Sequence, residues 1–452
     1  MNKILIIGLG AAGFSAIMSA RKENPQVQIT VVDQKDIDIV HPCGLPYALE
    51  GLADCTKLTQ NLHLEKAGVK KVTGKLLKIN HDNKNAHVLL NDNSEEVTLN
   101  YDTMIIAVGA KPLIPNIAGV DKVLGRGLHT FASTGDLEAV SSCIENATAS
   151  GRKEISAAVI GGGAIGLETA FAVKDKCKVS VFVSREHVLG SALDSDMSPI
   201  VEEYLKESGI NVLTNLSVEE FLGNERFEGF KAGTETYHFD LGILSKGFGA
   251  DIPFALDSGL EIESRSIKVN DKLETNLSGI FAAGDCTASK SVIDGRLYNS
   301  KLATSAYKQG IIAGINAAGG NAVYHGTAGT FVTKIGDLEI AGTGYTLEAA
   351  KSLGYSTAVG KITQLIRPEY MHDNSKITIK VIADSSTGKI LGGQAIGVCG
   401  AAERINILSM AIEFKISIAD LKRFEMAYCP AVSEPEDALM KALDFCIRRI
   451  KR

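Results

Sequence analysis

Lys3-Ile4-Leu5-Ile6-Ile7-Gly8-Leu9-Gly10-Ala11-Ala12-Gly13 decides how this 452-residue chain folds. Its unbroken apolar run marks a buried parallel strand, which enters a Gly-x-Gly-x-x-Gly turn before Phe14 to Arg21, a stretch that reads as a helix. Glycine belongs in such a turn because the chain bends sharply, approaches a pyrophosphate and packs helix closely on strand. The helix N-terminus then offers N–H groups and the positive end of its dipole to the phosphates. A second strand, Gln28-Ile29-Thr30-Val31-Val32, ends at Asp33, about twenty residues past the turn, where an acid holds adenosine ribose hydroxyls.

The unit repeats. Ile155 to Ile160 reads as a strand, Gly161-Gly162-Gly163-Ala164-Ile165-Gly166 as a second turn, and Leu167 to Val173 as the start of its helix. The next strand, Lys178 to Val183, ends without an acid, and Ser184-Arg185 follow. A carboxylate there would bind a 2′-hydroxyl and repel a 2′-phosphate, whereas Ser and Arg suit the phosphate, so NADPH or relaxed specificity is expected. Two further segments close on glycine. Tyr101 to Ala110 is a strand ending Ala107-Val108-Gly109-Ala110, with Pro112 and Pro115 beyond, and Thr275 to Asp285 is a strand ending Gly284-Asp285. An aspartate at a strand end can accept a hydroxyl hydrogen bond from an extended ligand; its other reading is a helix N-cap.

Composition narrows the rest. Length suggests two to four domains. Forty-five glycines against ten prolines, without a collagen period, indicate many tight turns. A net charge of −6 gives no footprint for nucleic acid. The first apolar run is too short for a signal-peptide core, and no long uncharged apolar stretch suggests a membrane span, so a cytoplasmic protein with no membrane partner is expected. Eight cysteines without a Cys-x-x-Cys pair indicate neither a disulfide framework nor a metal site.

In its order of motifs, from about residue 3 to residue 437, the chain resembles the FAD-dependent pyridine nucleotide–disulfide oxidoreductases. The resemblance implies an α/β fold: two Rossmann-like dinucleotide-binding domains plus a C-terminal α+β dimerisation domain. It places a discontinuous FAD-binding domain at 1–118 and 242–325, an NAD(P)-binding domain at 119–241 and a dimerisation domain at 326–452. It implies FAD contacts from Gly8, Gly10, Ala11, Ala12, Gly13, Asp33, Gln34, Ala107, Val108, Gly109, Gly284, Asp285, Leu302 and Ala303. NADPH or NADH would meet Gly161, Gly163, Ala164, Ile165, Gly166, Glu168, Ser184, Arg185 and Gly247. Val108 departs from the pattern, where threonine is commoner.

His41-Pro42-Cys43-Gly44-Leu45-Pro46-Tyr47 narrows the class. Glycine and proline around Cys43 suggest a loop entering a helix, whose N–H groups and dipole would favour the thiolate. A disulfide reductase would carry a second cysteine five residues on, but Ala48 stands there, and Cys55 is too far along to replace it. Cys43 is therefore expected to work alone, as thiolate, persulfide, sulfenate or mixed disulfide. Single-cysteine relatives include coenzyme A disulfide reductases, persulfide or polysulfide reductases, NADH oxidases and NADH peroxidases. The Pro-Cys-Gly-Leu-Pro-Tyr stretch resembles the first of these most closely. Oxidases and peroxidases usually carry a histidine where this chain has Ala11, so thiol-level chemistry is favoured over oxygen chemistry.

The C-terminal third alternates short strands with polar turns, and from Arg404 a helix places Ile405, Leu408 and Ile412 on one face. It resembles the family's dimerisation domain, which implies a homodimer. Tyr370 and Tyr428 match positions that reach the partner's cysteine in coenzyme A disulfide reductases, where a phenol can donate to a leaving thiolate. Cys429, where alanine is usual, has two readings: a redox pair with the partner's Cys43, or, more plainly, a small residue in an interface. Coenzyme A would need cations: Arg21, Lys22, Lys70 and Lys71 fall near its expected place, with Ser15, Ser19 and Pro42. Glu436, where lysine is usual, weakens that assignment, although Ser433 to Glu436 reads as a capping box opening a helix over Asp437 to Ile450. The expected activity is hydride transfer from NAD(P)H to flavin and on through Cys43 to a small thiol, disulfide or persulfide. An NADH oxidase and a redox-sensing flavoprotein are the alternatives.

Overall fold

Strand Lys3–Ile7 and helix Ala11–Glu23 form around the first glycine turn as their residues predict, in a computed structural model that describes residues 2–92 and 94–450. Chain contacts divide into two units. The first comprises Met1–Pro42, Asp54–Leu113 and Phe248–Thr327; the second comprises Cys43–Ala53, Ile114–Gly247 and Ala328–Arg452.

The first unit is built on a seven-stranded sheet. Its order is Ile280–Ala282, Thr103–Ile106, Lys3–Ile7, Gln28–Asp33, Val69–Asn80, Asn85–Leu90 and Glu96–Asn100. The strands from Ile280–Ala282 through Val69–Asn80 are parallel, and Ile7 lies level with Val32 on one side and Ile106 on the other. Ile4, Ile6, Val31, Ile105 and Phe281 fill one core with the apolar face of helix Ala11–Glu23. Helix Ala303–Ala317 lies directly against that helix, because Gly310 and Gly314 leave no side chain between it and Ala12 and Ala16. The strand expected over Thr275 to Asp285 shortens to Ile280–Ala282. Thr275 Oγ1 accepts from Leu277 N at 3.1 Å and Thr275 N donates to Ile280 O, so the preceding residues close into a turn.

The second unit holds two five-stranded sheets and a smaller one of three strands. One is parallel, in the order Leu128–His129, Leu241–Leu244, Ser156–Ile160, Lys178–Phe182, Asn211–Leu213. A three-stranded antiparallel sheet covers it through an aromatic cluster in which Phe182 meets Phe230 edge-on, with ring centres 4.7 Å apart. The other main sheet is antiparallel, running from Phe331–Ile335 through Leu338–Gly344, Ile390–Gly397 and Lys376–Asp384 to Thr357–Leu365. Helix Ala401–Glu413 packs on it with Ile405, Leu408 and Ile412 buried, the face the sequence predicts. The two five-stranded sheets, expected in separate domains, share this unit and are fastened together. Lys380, 3% exposed, holds Asp194 at 2.8 Å and Asp196 at 2.6 Å, while Gln394 bonds Asp194 from the neighbouring strand.

The expected capping box at Ser433 to Glu436 does not form. Ser433 Oγ donates to Ala427 O instead, and Asp437 opens helix Ala438–Ile450 by accepting from Leu439 N at 2.8 Å. Asp437 also binds the buried guanidinium of Arg404, an ion pair that fixes this helix start. No helix of the described residues is long and apolar enough to cross a membrane.

Candidate active site

In the first turn the three glycines have three different reasons. Gly8 has φ +101° and a Cβ there would strike the Ala107 carbonyl, whereas a Cβ on Gly13 would strike Gly8 O. A Cβ on Gly10 would meet nothing in the protein. No described residue requires glycine at that position, which fits a pyrophosphate drawn up against the backbone. Helix Ala11–Glu23 begins with no side-chain cap, and so does helix Ala303–Ala317 behind Leu302, so both N-termini keep donors available to a ligand.

Asp33 is buried beside the turn. Its Oδ2 accepts from Leu9 N at 2.6 Å, and its Oδ1 accepts from Lys35 N and Nζ at 2.7 Å each, which leaves lone pairs for ribose hydroxyls. Gln34 is exposed alongside it. Ala107 is buried, Val108 and Gly109 are half-buried, and Gly109 takes φ +69° where the chain leaves the sheet. Gly284 N donates to Gln309 Oε1 at 2.6 Å, and this bond fixes the Gly-Asp corner. The N-cap reading of Asp285 fails, because strand Thr287–Lys290 follows and not a helix. Burial pushes the Asp285 carboxyl up to about 6, with Lys301 partly opposing it. The unit thus offers two uncapped helix starts, an open glycine, the buried Asp33 and the half-buried Asp285 to an extended dinucleotide, which fits FAD.

In the second turn, Gly161 has φ +129° with its α-carbon against Ser245 O, Gly166 abuts Gly161 O, and Gly163 opens on empty space as Gly10 does. Ladder register locates the specificity position. Ile7 is level with Val32, so Asp33 is level with Gly8; Ile160 is level with Phe182, so Val183 is level with Gly161. A buried valine therefore stands where the first unit has its acid, and Ser184 and Arg185 follow it exposed to solvent.

Glu168 lies one turn into the nucleotide helix Ala164–Val173, half-buried, and burial raises its carboxyl above the usual range. It accepts from Thr333 Oγ1, and the Tyr47 hydroxyl lies 3.5 Å away while donating to Lys334 O at 3.2 Å. Burial and the Glu168 charge push the Tyr47 phenol up to about 12. Sequence reading did not connect Tyr47 with Glu168, because 121 residues separate them.

Cys43 is exposed in the turn Pro42–Gly44, which leads into helix Leu45–Glu50, as expected. Burial instead pushes the thiols of Cys177 and Cys446 up to about 11 and that of Cys286 up to about 12. Such thiols pack as small apolar groups. Tyr370 and Tyr428, fifty-eight residues apart, come together on the surface. Their hydroxyls hydrogen-bond, which raises the Tyr428 phenol above its ordinary value, and Cys429 beside them is exposed. Tyr370 sits in a hairpin turn pinned by Asn374 and by an Arg367–Asp373 ion pair.

Several expected substrate contacts are otherwise engaged. Ser15 is 1% exposed, its hydroxyl donates to Ala11 O and Ala12 O, and it faces Gly310, so it packs one helix on another and presents nothing to a ligand. Ser19 Oγ donates to Ser15 O at 2.7 Å. Arg21 binds the carbonyls of Pro25, Val27, Ala67 and Gly68, and Lys71 pairs with Asp38 at 2.8 Å. Lys22, Lys70 and Pro42 remain exposed.

Two glycine turns on two parallel sheets, a Gly-Asp corner at a strand end and an exposed cysteine define a flavoprotein oxidoreductase with two nucleotide sites. The chain matches the pyridine nucleotide-disulphide oxidoreductase family over residues 2–310 and that family's dimerisation domain over residues 330–438. An NADH oxidase of Methanocaldococcus jannaschii is 33% identical over 99% of each chain. An NAD(P)H coenzyme A polysulfide/persulfide reductase of Pyrococcus horikoshii is 30% identical over 97% of each. Among solved structures, an NAD-dependent persulfide reductase from A. fulgidus superposes with a TM-score of 0.93 at 28% identity, over 99% of this chain and 84% of that one. The chain belongs to the pyridine nucleotide–disulfide oxidoreductase family, and it is an enzyme that uses FAD and NAD(P)H.

Proposed function

We propose that the protein is a homodimeric FAD enzyme that uses NAD(P)H to reduce a small disulfide or persulfide through Cys43. One observation carries the reading: an exposed cysteine opens a helix, and Ala48 stands where a second redox cysteine would be. The Cys43 thiolate attacks one sulfur of RSSR, forms a mixed disulfide and expels RS⁻, which takes up a proton. Two electrons from NAD(P)H then cleave that mixed disulfide and return Cys43 as thiolate with a second RS⁻. The sum is NAD(P)H, H⁺ and RSSR giving NAD(P)⁺ and two RSH. FAD, when bound, supplies the two-electron exchange between nicotinamide and sulfur.

The chain's own residues orient and protonate. The Tyr370–Tyr428 pair, offered to the partner's Cys43, would deliver the proton to the leaving thiolate. Val183 in the acid's place, with exposed Ser184 and Arg185, favours NADPH over NADH. Oxygen as acceptor is the second reading, favoured by the NADH oxidase relative and opposed by Ala11, which supplies no acid–base group.

Anaerobic titration with NADPH and NADH, followed by assays with coenzyme A disulfide, coenzyme A persulfide, polysulfide and oxygen, tests the proposal. A long-wavelength thiolate–flavin band and fast disulfide or persulfide turnover are expected, both lost in Cys43→Ser. A band that survives Cys43→Ser, or oxygen consumption as the only fast reaction, overturns it. Non-reducing electrophoresis of the oxidised protein decides Cys429: a covalent dimer lost in Cys429→Ser would pair it with the partner's Cys43, and its absence assigns Cys429 to packing alone.

A further inference from the structure

Just past each strand that flanks Ser156–Ile160, the chain carries a cation. Beyond Lys178–Phe182 comes Arg185, and beyond Leu241–Leu244 comes Lys246. Ser245 N donates to Ile160 O at 2.9 Å, and the Ser245 carbonyl lies against the α-carbon of Gly161. Lys246 is therefore one residue from the phosphate turn. It stands at the carboxyl ends of parallel strands on either side of which the sheet continues, which is where open α/β sheets bind ligands.

Among the described residues nothing answers the charge on Lys246. The residue is half-buried, burial alone holds its ammonium below the ordinary lysine value, and no described residue forms an ion pair or hydrogen bond with its side chain. Lys71, Lys361 and Lys380 are also drawn out of water, and each is held by an aspartate. A desolvated cation with no counter-ion is unfavourable unless a ligand provides one.

We propose that Lys246 is a nucleotide-binding residue whose ammonium pairs with the nicotinamide-side phosphate of NAD(P)H. This rests on the second turn being the NAD(P)H site. A dinucleotide lies across the first strand of such a sheet, so the adenosine half falls toward Lys178–Phe182 and Arg185, and the nicotinamide half toward Leu241–Leu244 and Lys246. The two cations thus serve different phosphates. Arg185 meets the 2′-phosphate and Lys246 the pyrophosphate from its far side.

Equilibrium binding to the oxidised, FAD-loaded protein separates them. NADP⁺ carries both phosphates, and 2′,5′-ADP lacks the nicotinamide-side one. Lys246→Gln is expected to weaken NADP⁺ about tenfold, the scale of one charge-assisted hydrogen bond, and to flatten its salt dependence, while 2′,5′-ADP binding is unchanged. Lys246→Arg should keep most of the affinity, and Arg185→Gln should weaken both ligands. NADP⁺ binding to Lys246→Gln as tightly as to the unmodified enzyme overturns the proposal, and so does an equal loss for both ligands. If the unmodified enzyme binds NAD⁺ and neither of these two, the Arg185 reading fails, and NAD⁺ against AMP then decides Lys246 by the same comparison. If no nucleotide binds in a way that either cation affects, the site assignment itself fails and the proposal with it.

Discussion

Asp285 illustrates at residue scale how a ligand site is maintained against stability. Its carboxyl moves from 3.8 to about 6, first through burial, with Lys301 opposing. Between those values the folded protein binds more protons than the unfolded chain. Stability of the FAD-free protein therefore falls as pH rises from about 4 to about 6 and is level above that. A shift of this size corresponds to about 2–3 kcal/mol. Asp285→Asn is expected to make the FAD-free protein about 1–2 kcal/mol more stable than the parent at pH 8, with the difference vanishing near pH 4, while FAD retention drops. Denaturant melts at both pH values, together with FAD absorbance, check this; equal stability at pH 8 would assign the burial another cause.

At the scale of elements, the strand–turn–helix unit separates what folding needs from what the ligand needs. Gly13 is required by the fold, since a Cβ would push helix Ala11–Glu23 off Gly8 O. Gly10 touches nothing. Gly13→Ala should destabilise the FAD-free chain by about 1–3 kcal/mol through overpacking. Gly10→Ala should leave its melting temperature within about 2 °C, because the added Cβ meets nothing and a cap change of about 1 kcal/mol shifts a chain of this size little, and should still reduce FAD occupancy. Thermal melts with and without FAD distinguish the two. This unit was legible in sequence because its constraints are local: period, turn residue and acid all lie within about thirty residues. The helix expected over Asp437 to Ile450 forms as Ala438–Ile450, but its expected capping box does not, because Ser433 turns to donate to Ala427 O and Asp437, held by Arg404, accepts from Leu439 N at the helix start.

For the molecule as a whole, the second unit depends on a charge cluster that joins its five-stranded antiparallel sheet to the segment following strand Lys178–Phe182. Lys380 reaches from strand Lys376–Asp384 to Asp194 and Asp196, just ahead of helix Ser198–Glu207. Lys380→Met leaves Asp194 buried without its cation and should lower resistance to urea by about 3–5 kcal/mol. The double variant Asp194→Asn with Lys380→Met should recover part of that loss. No recovery in the double variant would show that packing, and not charge, holds the two together. Nothing in the sequence around residue 194 announces a partner at residue 380.

The sequence by itself determined the features that short-range sterics and electrostatics impose. These are the two glycine turns, the acid at Asp33 and its replacement before Arg185, and a lone cysteine at the start of a helix. Glycine is required there by a backbone angle or a close approach, and neighbours along the chain are enough to specify either. Tertiary structure alone decided which distant side chains meet. It placed Tyr370 beside Tyr428, tied Glu168 to Tyr47 and Thr333, turned Ser15 inward against Gly310, and left Lys246 half-buried with no counter-ion among the described residues. Those outcomes depend on how helices and sheets pack across long chain separations, where a side chain's charge or hydroxyl is answered by whichever group the fold brings to it.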